Sequence, residues 1–306
     1  MERLDLGAIT VTVVGGDARE VELIRGLVQS GARVQAVGFP PGLVSDSVIV
    51  YTDLYQALAT ADVVVAPMSN TDVHGKVEAV MDPSVSIQLD ERAFARLRPG
   101  TPLFIGKAKP VIRDLADKYR IPVIETGEID EIAIPNSIPT AEGVLMLAME
   151  RMPITLHGSR VVVVGFGRCG LTLGRMLQGI GAKTTVVARS LAQLARAAEM
   201  GLNILEIARL PEAVSVADLV VNTVPAPVLT GTVLAVMPKE ALVIDIASAP
   251  GGTDFAAAKE LGIEAIHALG LPGKVAPKTA GLILADTIPK LISQLMSQPK
   301  QPTSES

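Results

Sequence analysis

The sequence predicts an α/β protein made of two Rossmann-like, doubly wound parallel-sheet domains with a cleft between them. Two observations predict this fold. The chain has 306 residues, and at roughly 100–200 residues per domain this length fits two domains. Short apolar runs rich in Val and Ile alternate with longer helical patterns, as in repeated βα units, and this series occurs twice.

The first series contains five predicted strands. Hydrophobic periodicity places them at residues 9–14, 33–37, 63–66, 102–105 and 122–124. Helical patterns lie between them at residues 18–30, 54–59, 91–97 and 111–119. Parallel strands buried between helices explain why Val, Ile, Leu and Ala supply most of the apolar residues.

The second series follows a predicted linking helix at residues 140–151, which comes after a turn-rich stretch at 134–139. Its strands are predicted at 160–164, 184–188, near 204, 219–222, 242–246 and 265–267, and its helices at 169–180, 191–200 and 212–216. A last helix at 276–296 is predicted to return to the first domain, and the polar end of the chain is typical of a disordered terminus. We therefore assign 1–138 and 276–300 to the first domain, 139–275 to the second, and 297–306 to a disordered tail.

The composition excludes several classes of protein. Aromatic residues make up 3% of the chain and its net charge is −5, which argues against a nucleic-acid-binding protein. The single cysteine, Cys169, excludes a disulfide framework or a multi-cysteine zinc site, and His74, His157 and His267 have no metal-ligand spacing. The sequence has neither a signal-peptide pattern nor about 18 uninterrupted apolar residues. We expect a cytoplasmic protein that binds no metal, nucleic acid or membrane.

The segment VVVVGFGRCG has glycines in G-x-G-x-x-G spacing between a β-branched strand and an amphipathic helix. Gly165 permits the tight turn, Gly167 lets backbone N–H groups approach a pyrophosphate, and Gly170 permits close strand–helix contact. A glycine-rich turn without a ligand is the alternative, but the flanking strand and helix favour a dinucleotide site. The predicted cofactor loop consists of Gly165, Phe166, Gly167, Arg168, Cys169 and Gly170. Cys169 is interpreted as a small residue packed under this loop.

The end of the next strand indicates which dinucleotide binds. An NAD site usually has a carboxylate about 20 residues after the glycines, where it holds the ribose 2′-hydroxyl. This chain has Arg189 and Ser190 there. Arg189 can bind a 2′-phosphate bidentately and Ser190 can donate a hydrogen bond to it. We predict NADP rather than NAD, and the alternative is a solvated arginine at a strand end.

Two later loops are predicted to line the ribose and nicotinamide side of the site. NTVPAP follows the fourth strand of the second series, and DIASAPGG follows the fifth. The predicted contacts in these loops are Thr223, Val224, Pro225 and Ser248. Proline-rich loops at these positions can also act simply as strand stops.

Polar residues at strand ends of the first domain predict the substrate site. The first strand leads into GGDARE, where Arg19 can pair with a substrate carboxylate and Asp17 can point into the cleft or simply cap the next helix. Further predicted substrate contacts are Ser69, Asn70, Lys107, Asn136, Ser137, Thr140, Glu142 and Lys274. Thr140 with Glu142 can also be helix-start chemistry. Together these groups predict a cationic, hydroxyl-lined cleft for a small carboxylate.

The candidate acid–base residues are His267 and Asp17. His267 lies at a strand end near the expected nicotinamide side, and histidine is a common general acid or base in enzymes. No carboxylate partner for His267 is evident in the sequence, so a histidine without a catalytic role is the alternative.

The motifs GGDARE, NSIPTAEG, GFGRCG, DIASAPGG and LPGKVAPKTAG occur in this order, and VGF at 37–39 adds to them. In this order they resemble the bacterial dipicolinate synthase A-subunit family over residues 9–296. The layout is more distantly similar to D-2-hydroxyacid and alanine dehydrogenases.

This resemblance implies an NADP-linked oxidation that aromatises a dihydrodipicolinate-type intermediate of the lysine pathway to dipicolinate during sporulation. It also implies that the partner in the mother cell is a flavoprotein-like B subunit, and we expect a homo-oligomer that takes a small dicarboxylate substrate. Two alternatives remain open at this point. One is a stand-alone D-2-hydroxyacid or alanine-type dehydrogenase, and the other is a non-catalytic protein that senses NADP and docks to its partner.

Overall fold

The computed structural model describes residues 5–69 and 71–297. The chain divides into two compact units, Met1–Pro135 with Ala276–Ser306, and Asn136–Val275. Asn70 lies outside the described residues, and so does the predicted disordered tail beyond residue 297.

The first unit is built on a six-stranded parallel sheet. Its strands in chain order are β1 (Thr10–Val14), β2 (Arg33–Val37), β3 (Ile49–Tyr51), β4 (Val63–Val65), β5 (Lys76–Val77), β6 (Ile87–Gln88), β7 (Leu103–Ile105) and β8 (Val123–Glu125). The sheet order is β3-β2-β1-β4-β7-β8, while β5 and β6 pair with each other in antiparallel fashion. The winding therefore reverses between β1 and β4, which is where ligands bind in open α/β sheets.

Four helices accompany these strands: α1 (Ala18–Gln29), α2 (Leu54–Leu58), α3 (Glu91–Phe94) and α4 (Pro110–Tyr119). Both faces of the sheet are buried, because Val13 and Val14 of β1 enter different apolar clusters. The predicted elements agree with the structure within one residue, except that α3 ends at Phe94. Strands β3, β5 and β6 were not predicted, because two or three residues are too few to show an alternating pattern.

The second unit repeats the same sheet order. Its strands are β9 (Arg160–Val164), β10 (Lys183–Ala188), β11 (Asn203–Glu206), β12 (Leu219–Asn222), β13 (Leu242–Asp245) and β14 (Glu264–His267), arranged as β11-β10-β9-β12-β13-β14. The helices that follow α4 along the chain are α5 (Asp130–Arg151), α6 (Arg168–Ile180), α7 (Leu191–Glu199), α8 (Leu210–Val214), α9 (Gly231–Leu234), α10 (Phe255–Leu261), α11 (Leu271–Val275) and α12 (Pro277–Ser297). Neighbouring residues of β9 again enter two clusters, and the reversal lies between β9 and β12. The prediction of two doubly wound parallel-sheet domains is confirmed.

Helix α5 begins ten residues earlier than predicted, so the turn assigned to residues 134–139 is wrong. The two prolines of that stretch each remove one helical N–H, but buried Ile132 and Ala141 anchor the helix on both sides of them. The Thr140 hydroxyl donates to the Asn136 carbonyl one turn earlier (2.8 Å), so Thr140 lies inside the helix and does not start it. By length and composition α5 could cross a membrane. However, Ala141 and its neighbours Val144 and Ala148 pack in the apolar core of the second unit.

Helix α12 packs along α1 at very short range. A Cβ at Gly26 of α1 would lie 2.7 Å from Cβ of Ala285, and a Cβ at Gly281 would lie 2.7 Å from the Arg19 carbonyl oxygen. Leu284 and Ile288 of α12 enter the same apolar cluster as β1. The close contact holds the start of α1 firmly against the sheet, which fixes the position of Arg19.

Candidate functional site

The loop between β9 and α6 contains the glycine motif and is shaped by contacts that exclude side chains. Gly165 has φ of +88°, a conformation that favours glycine. A Cβ on Gly165 would collide with Oγ1 of Thr223 and would lie 2.7 Å from Cγ2 of Val224. A Cβ on Gly170 would collide with the Gly165 carbonyl oxygen. Gly165, Gly170, Thr223 and Val224 therefore meet where the sheet winding reverses.

Gly167 is the N-cap of α6, and the space where its Cβ would stand is open for 4 Å. Glycine has no side chain to accept the first-turn N–H groups, unlike Asp17, Ser190 and Asp254, which cap α1, α7 and α10. An exposed helix N-terminus with free N–H groups favours an anion. The open cradle at Gly167 and this uncapped turn fit a dinucleotide pyrophosphate.

Arg189 and Ser190 follow β10, the strand next to β9 in the sheet. Both are exposed, and Ser190 Oγ accepts the Gln193 N–H at 3.4 Å as the N-cap of α7. Within residues 5–69 and 71–297, no hydrogen bond or ion pair joins the Arg189 side chain to another residue. The guanidinium is therefore available to a ligand, and the hydroxyl of Ser190 keeps its proton to donate.

Phe166 belongs to the loop and Cys169 to the first turn of α6, and both side chains are at least partly buried. Phe166 is buried in a small cluster with Val186 and Leu194. Burial raises the pKa of the Cys169 thiol, against a smaller opposing effect of the Arg168 charge. The thiol is therefore protonated near neutral pH, which agrees with a packing role.

A row of buried polar residues missed in the sequence crosses the ends of β12 and β13. Asn222 and Asp245 are register partners on these strands, and both are fully buried. The Asn222 amide donates to Asp245 Oδ2 and to the Val224 carbonyl, both at 3.0 Å. Asp245 Oδ2 also accepts from Gly252 N (2.8 Å) and Thr253 Oγ1 (2.7 Å). The sequence signal for this row was a polar residue at the end of each apolar strand, Asn222 on β12 and Asp245 on β13.

His267 is the register partner of Asp245 on β14. Its Nε2 lies 3.1 Å from the Ala247 carbonyl oxygen, and its ring lies 5.3 Å from the ring of Phe255. A carbonyl oxygen can only accept, so Nε2 carries the proton and Nδ1 of the neutral ring is the basic atom. The half-buried His267 is therefore oriented by backbone and an aromatic ring.

The corresponding loop of the first unit, after β1, is closed. The Gly16 N–H donates to the Glu78 carbonyl (2.9 Å), and the Val80 N–H donates to the Gly16 carbonyl (3.0 Å). A Cβ on Gly15 would lie 2.6 Å from Cγ1 of Val77. The segment from Val77 to Val80 thus packs on Gly15 and Gly16, so this loop is covered where the loop at Gly167 is open.

Arg19 and Asp17 lie beside this closed loop. Arg19 is 3% exposed and binds Asp17 bidentately, with Nε to Oδ1 at 2.9 Å and Nη2 to Oδ2 at 2.8 Å. Its Nη2 also donates to the Ser69 hydroxyl in the loop after β4. In the described ranges, Nη1 of Arg19 has no hydrogen-bond partner. Asp17 also caps α1, which is the alternative role that the sequence left open for it.

Charge and burial compete in this cluster. Burial acts to raise the pKa of Asp17, but the hydrogen bonds and charge of Arg19 outweigh it and hold that pKa below its usual value. Burial likewise acts to lower the pKa of Arg19, and Asp17 and Glu20 raise it. Asp17 is therefore ionised near neutral pH and holds Arg19 in place, which leaves it poorly suited to the acid–base role predicted from the sequence.

The other predicted substrate residues differ in burial. Ser137 is 1% exposed, with its hydroxyl 2.6 Å from that of Thr172, so it belongs to the core. Asn136 has a buried Oδ1 without a hydrogen-bond partner in the described part of the chain. The exposed predicted residues are Lys107 after β7, Glu142 on α5, Lys274 on α11, and Pro225 and Ser248 in the loops after β12 and β13.

Comparison with known proteins first identifies the class. Residues 141–270 match the family described as D-isomer specific 2-hydroxyacid dehydrogenase, NAD binding domain. The second unit is thus a nicotinamide-dinucleotide domain of dehydrogenase type, and L-alanine dehydrogenase, at 16% identity, shares the fold over 95% of this chain and 90% of its own (TM-score 0.64).

The first unit and the whole chain identify the protein family more specifically. Residues 10–126 match the family described as the N-terminal domain of the dipicolinate synthase A-subunit. The chain is 38% identical to the dipicolinate synthase A-subunit of Bacillus subtilis (strain 168) over 96% of its length and 99% of that protein. The crystal structure of the dipicolinate synthase A-subunit from Bacillus halodurans matches with a TM-score of 0.88, at 38% identity, over 96% of this chain and 100% of that one. The chain belongs to the dipicolinate synthase A-subunit family.

Proposed function

We propose that this chain is an NADP-dependent oxidoreductase that converts a dihydrodipicolinate-type intermediate to dipicolinate, as the family name and the nicotinamide-type second unit support. The observation that carries the proposal is the pairing of an open, uncapped Gly167 turn with an unpaired Arg189 at the end of the next strand, within the described residues. A carboxylate at that strand end would repel a 2′-phosphate, and none is present in the sequence there.

The cofactor would lie on the second unit, with its pyrophosphate at Gly167 and its 2′-phosphate at Arg189 and Ser190. Thr223 and Val224 would border the ribose side, since they already pack against Gly165. When bound, the oxidised nicotinamide supplies a hydride acceptor. The residues named above would orient the cofactor, and the glycines leave room for it in the loop.

The substrate carboxylate would bind Arg19. Its Nη1 is free for a ligand in the described structure, and its other nitrogens are held by Asp17 and Ser69. A guanidinium fixed in this way loses little side-chain freedom when a carboxylate binds. Lys107 and Lys274 are kept as secondary candidates, because both are exposed.

The proposed reaction removes a hydride and a proton from the dihydropyridine ring, and a bound oxidised nicotinamide would supply the hydride acceptor. We assign the proton to Nδ1 of His267, since Nε2 is held by the Ala247 carbonyl. Loss of both hydrogens makes the ring aromatic, so the product is favoured without a strongly activated base. Asp17 takes no proton in this scheme and orients Arg19.

The relatives are named for one subunit of a synthase, which supports a second, different chain in the complex. As part of the proposal, this partner is the flavoprotein-like B subunit, and the two act in the cytoplasm of the mother cell during sporulation. The homo-oligomer expected from the sequence stays a prediction.

The experiment mixes the purified chain with a freshly generated dihydrodipicolinate precursor and NADP, with and without the B subunit, and follows nicotinamide absorbance. We expect NADP reduction together with the appearance of dipicolinate. Absence of reduction under both conditions, with NADP binding intact, would overturn the oxidoreductase assignment in favour of a non-catalytic NADP sensor. Reduction of NAD but not NADP would overturn the cofactor assignment alone.

A further inference from the structure

Glu20 links the two loops that carry the Arg19 site. It is 1% exposed, and its carboxylate accepts the Asp17 N–H at 2.8 Å and the Met68 N–H at 3.3 Å. Asp17 follows β1 and Met68 follows β4, the two strands between which the sheet winding reverses. One buried side chain therefore joins both loops at the position where a ligand is expected.

The same two loops supply the partners of Arg19. Its Nη2 binds Asp17 on one loop and Ser69 on the other, so a relative shift of the loops would change the aim of the guanidinium. Gly16 packs directly on the Glu20 side chain, because a Cβ there would lie 2.6 Å from its Cδ and 2.7 Å from its Cγ. The Gly16 backbone therefore closes one side of the Glu20 side chain.

The groups around Glu20 come from α1, the loop after β4, the segment that covers Gly16, and α12. From α1 and its cap, Arg19 and Asp17 face it. From the loop after β4, the Met68 N–H donates to it, and the Ser69 hydroxyl accepts from Arg19. The segment that covers Gly16 contributes Lys76 and Glu78, whose side chains are exposed and line a cavity of about 350 Å³ together with Thr71 and Asp72. The face of α12 on α1 presents Gly281 and Ala285.

The cluster of Asp17, Arg19 and Glu20 is therefore short of positive charge when all three are ionised, with one cation against two anions. Burial raises the pKa of Glu20 to about 7, against the opposing charge of Arg19 and with the help of Asp17. Near neutral pH, Glu20 can accordingly gain or lose a proton, and the proton makes the cluster neutral. An incoming anion would favour the protonated form, since a negative neighbour disfavours ionisation.

We propose that Glu20 is a positioning residue of the Arg19 site, and that this site takes up a proton on the Glu20 carboxylate when it binds a dicarboxylate. The inference rests on the proposed function for the identity of the ligand. Glu20 does not touch the ligand in this scheme. It holds the two loops together, and its proton, taken from solvent, removes the repulsion between the buried carboxylate and the bound dianion.

The test uses calorimetric titration of the purified chain with dipicolinate, a stable probe, in buffers of different ionisation enthalpy from about pH 6 to about pH 9. We expect uptake to approach one proton above pH 7 and to vanish near pH 6. The dissociation constant should rise by up to tenfold per pH unit above about pH 7. In Glu20→Gln, uptake should disappear and the dissociation constant should become independent of pH. Glu22→Gln, on the same helix and paired with Arg25, should behave as the wild type.

Wild-type binding without proton uptake, or no binding of dipicolinate at any pH, would overturn the proposal. If Glu20→Gln fails to fold, carbon NMR titration of the Glu20 carboxyl in the wild type gives the same answer. Dipicolinate must then raise the pH midpoint of the Glu20 carboxyl titration. A midpoint that dipicolinate does not change would refute proton uptake by Glu20. If dipicolinate binding takes up a proton but NADP is not reduced, the proposed reaction is wrong and the role of Glu20 stands. If NADP is reduced but binding takes up no proton, the role of Glu20 is wrong and the proposed reaction stands.

Discussion

Asp245 and His267 lie opposite each other on neighbouring parallel strands and are both tied to Ala247. Asp245 Oδ1 accepts the Ala247 N–H at 2.9 Å, and His267 Nε2 donates to the Ala247 carbonyl at 3.1 Å. The buried carboxylate thus fixes the peptide that in turn fixes the imidazole. The link runs through the Ala247 peptide, so Asp245 helps to set the position of the His267 ring.

Replacing Asp245 with Asn should loosen this loop. An amide cannot accept from Asn222, Gly252 and Thr253 as the carboxylate does, so buried donors lose their acceptor. We expect the free energy of unfolding to fall by about 3 kcal/mol, measured by denaturant titration. Asp254→Asn is the matched control, since Asn caps a helix as well as Asp does. Equal stability of the two variants would contradict the role assigned to Asp245.

Gly167→Ala should separate cofactor binding from folding. The Cβ enters open space, and φ at Gly167 is −84°, so stability should change by no more than about 1 kcal/mol. The same Cβ would stand where the pyrophosphate approaches, so we expect NADP affinity to fall at least about tenfold by fluorescence titration. Gly179→Ala on the same helix also faces open space and should leave affinity unchanged. Unaltered NADP binding in Gly167→Ala would show that the pyrophosphate does not bind at this loop.

Arg189→Asp should shift the cofactor preference toward NAD. The change removes a charge-assisted bond to the 2′-phosphate and supplies a carboxylate for the 2′-hydroxyl, so NADP affinity should fall by about 10–100-fold. Arg175→Asp, an exposed arginine on α6, controls for net charge. The ratio of NADP to NAD dissociation constants is the measurement, and a ratio equal to that of the control would exclude Arg189 from the 2′-phosphate.

Arg19→Ala should weaken substrate binding with little effect on NADP, but it also leaves Asp17 and Glu20 without their cation. Arg19→Lys keeps the charge and loses the bidentate geometry, so it is the sharper variant. We expect Arg19→Lys to weaken dipicolinate binding by about tenfold or more, with NADP affinity within about twofold of the wild type. A variant that loses NADP affinity instead would show that Arg19 serves the cofactor.

The sequence predicted the two sheets and the glycine turn after β9, because both depend on local patterns. β-branched runs define strands such as β9, and the spacing of Gly165, Gly167 and Gly170 defines the turn. Contacts between segments that are distant in sequence could not be predicted from these local patterns. Nothing in the local pattern shows that the segment from Val77 to Val80 closes the first glycine loop, that Asp245 binds Asn222, or that Glu20 reaches Met68. Each of these contacts depends on how elements distant in sequence meet at the end of a sheet.

Glu20 should give the chain a measurable pH dependence of stability. Its pKa is raised from 4.5 in the unfolded chain to about 7 in the folded chain. Between these values the folded state holds a proton that the unfolded state has released, so the free energy of unfolding falls as pH rises through this window and levels off above about pH 7. One proton gives a slope of at most about 1.4 kcal/mol per pH unit. Glu20→Gln should lack this contribution, and Glu22→Gln should keep it. Parallel stability curves for wild type and Glu20→Gln between about pH 5 and 7 would show that Glu20 does not hold the proton.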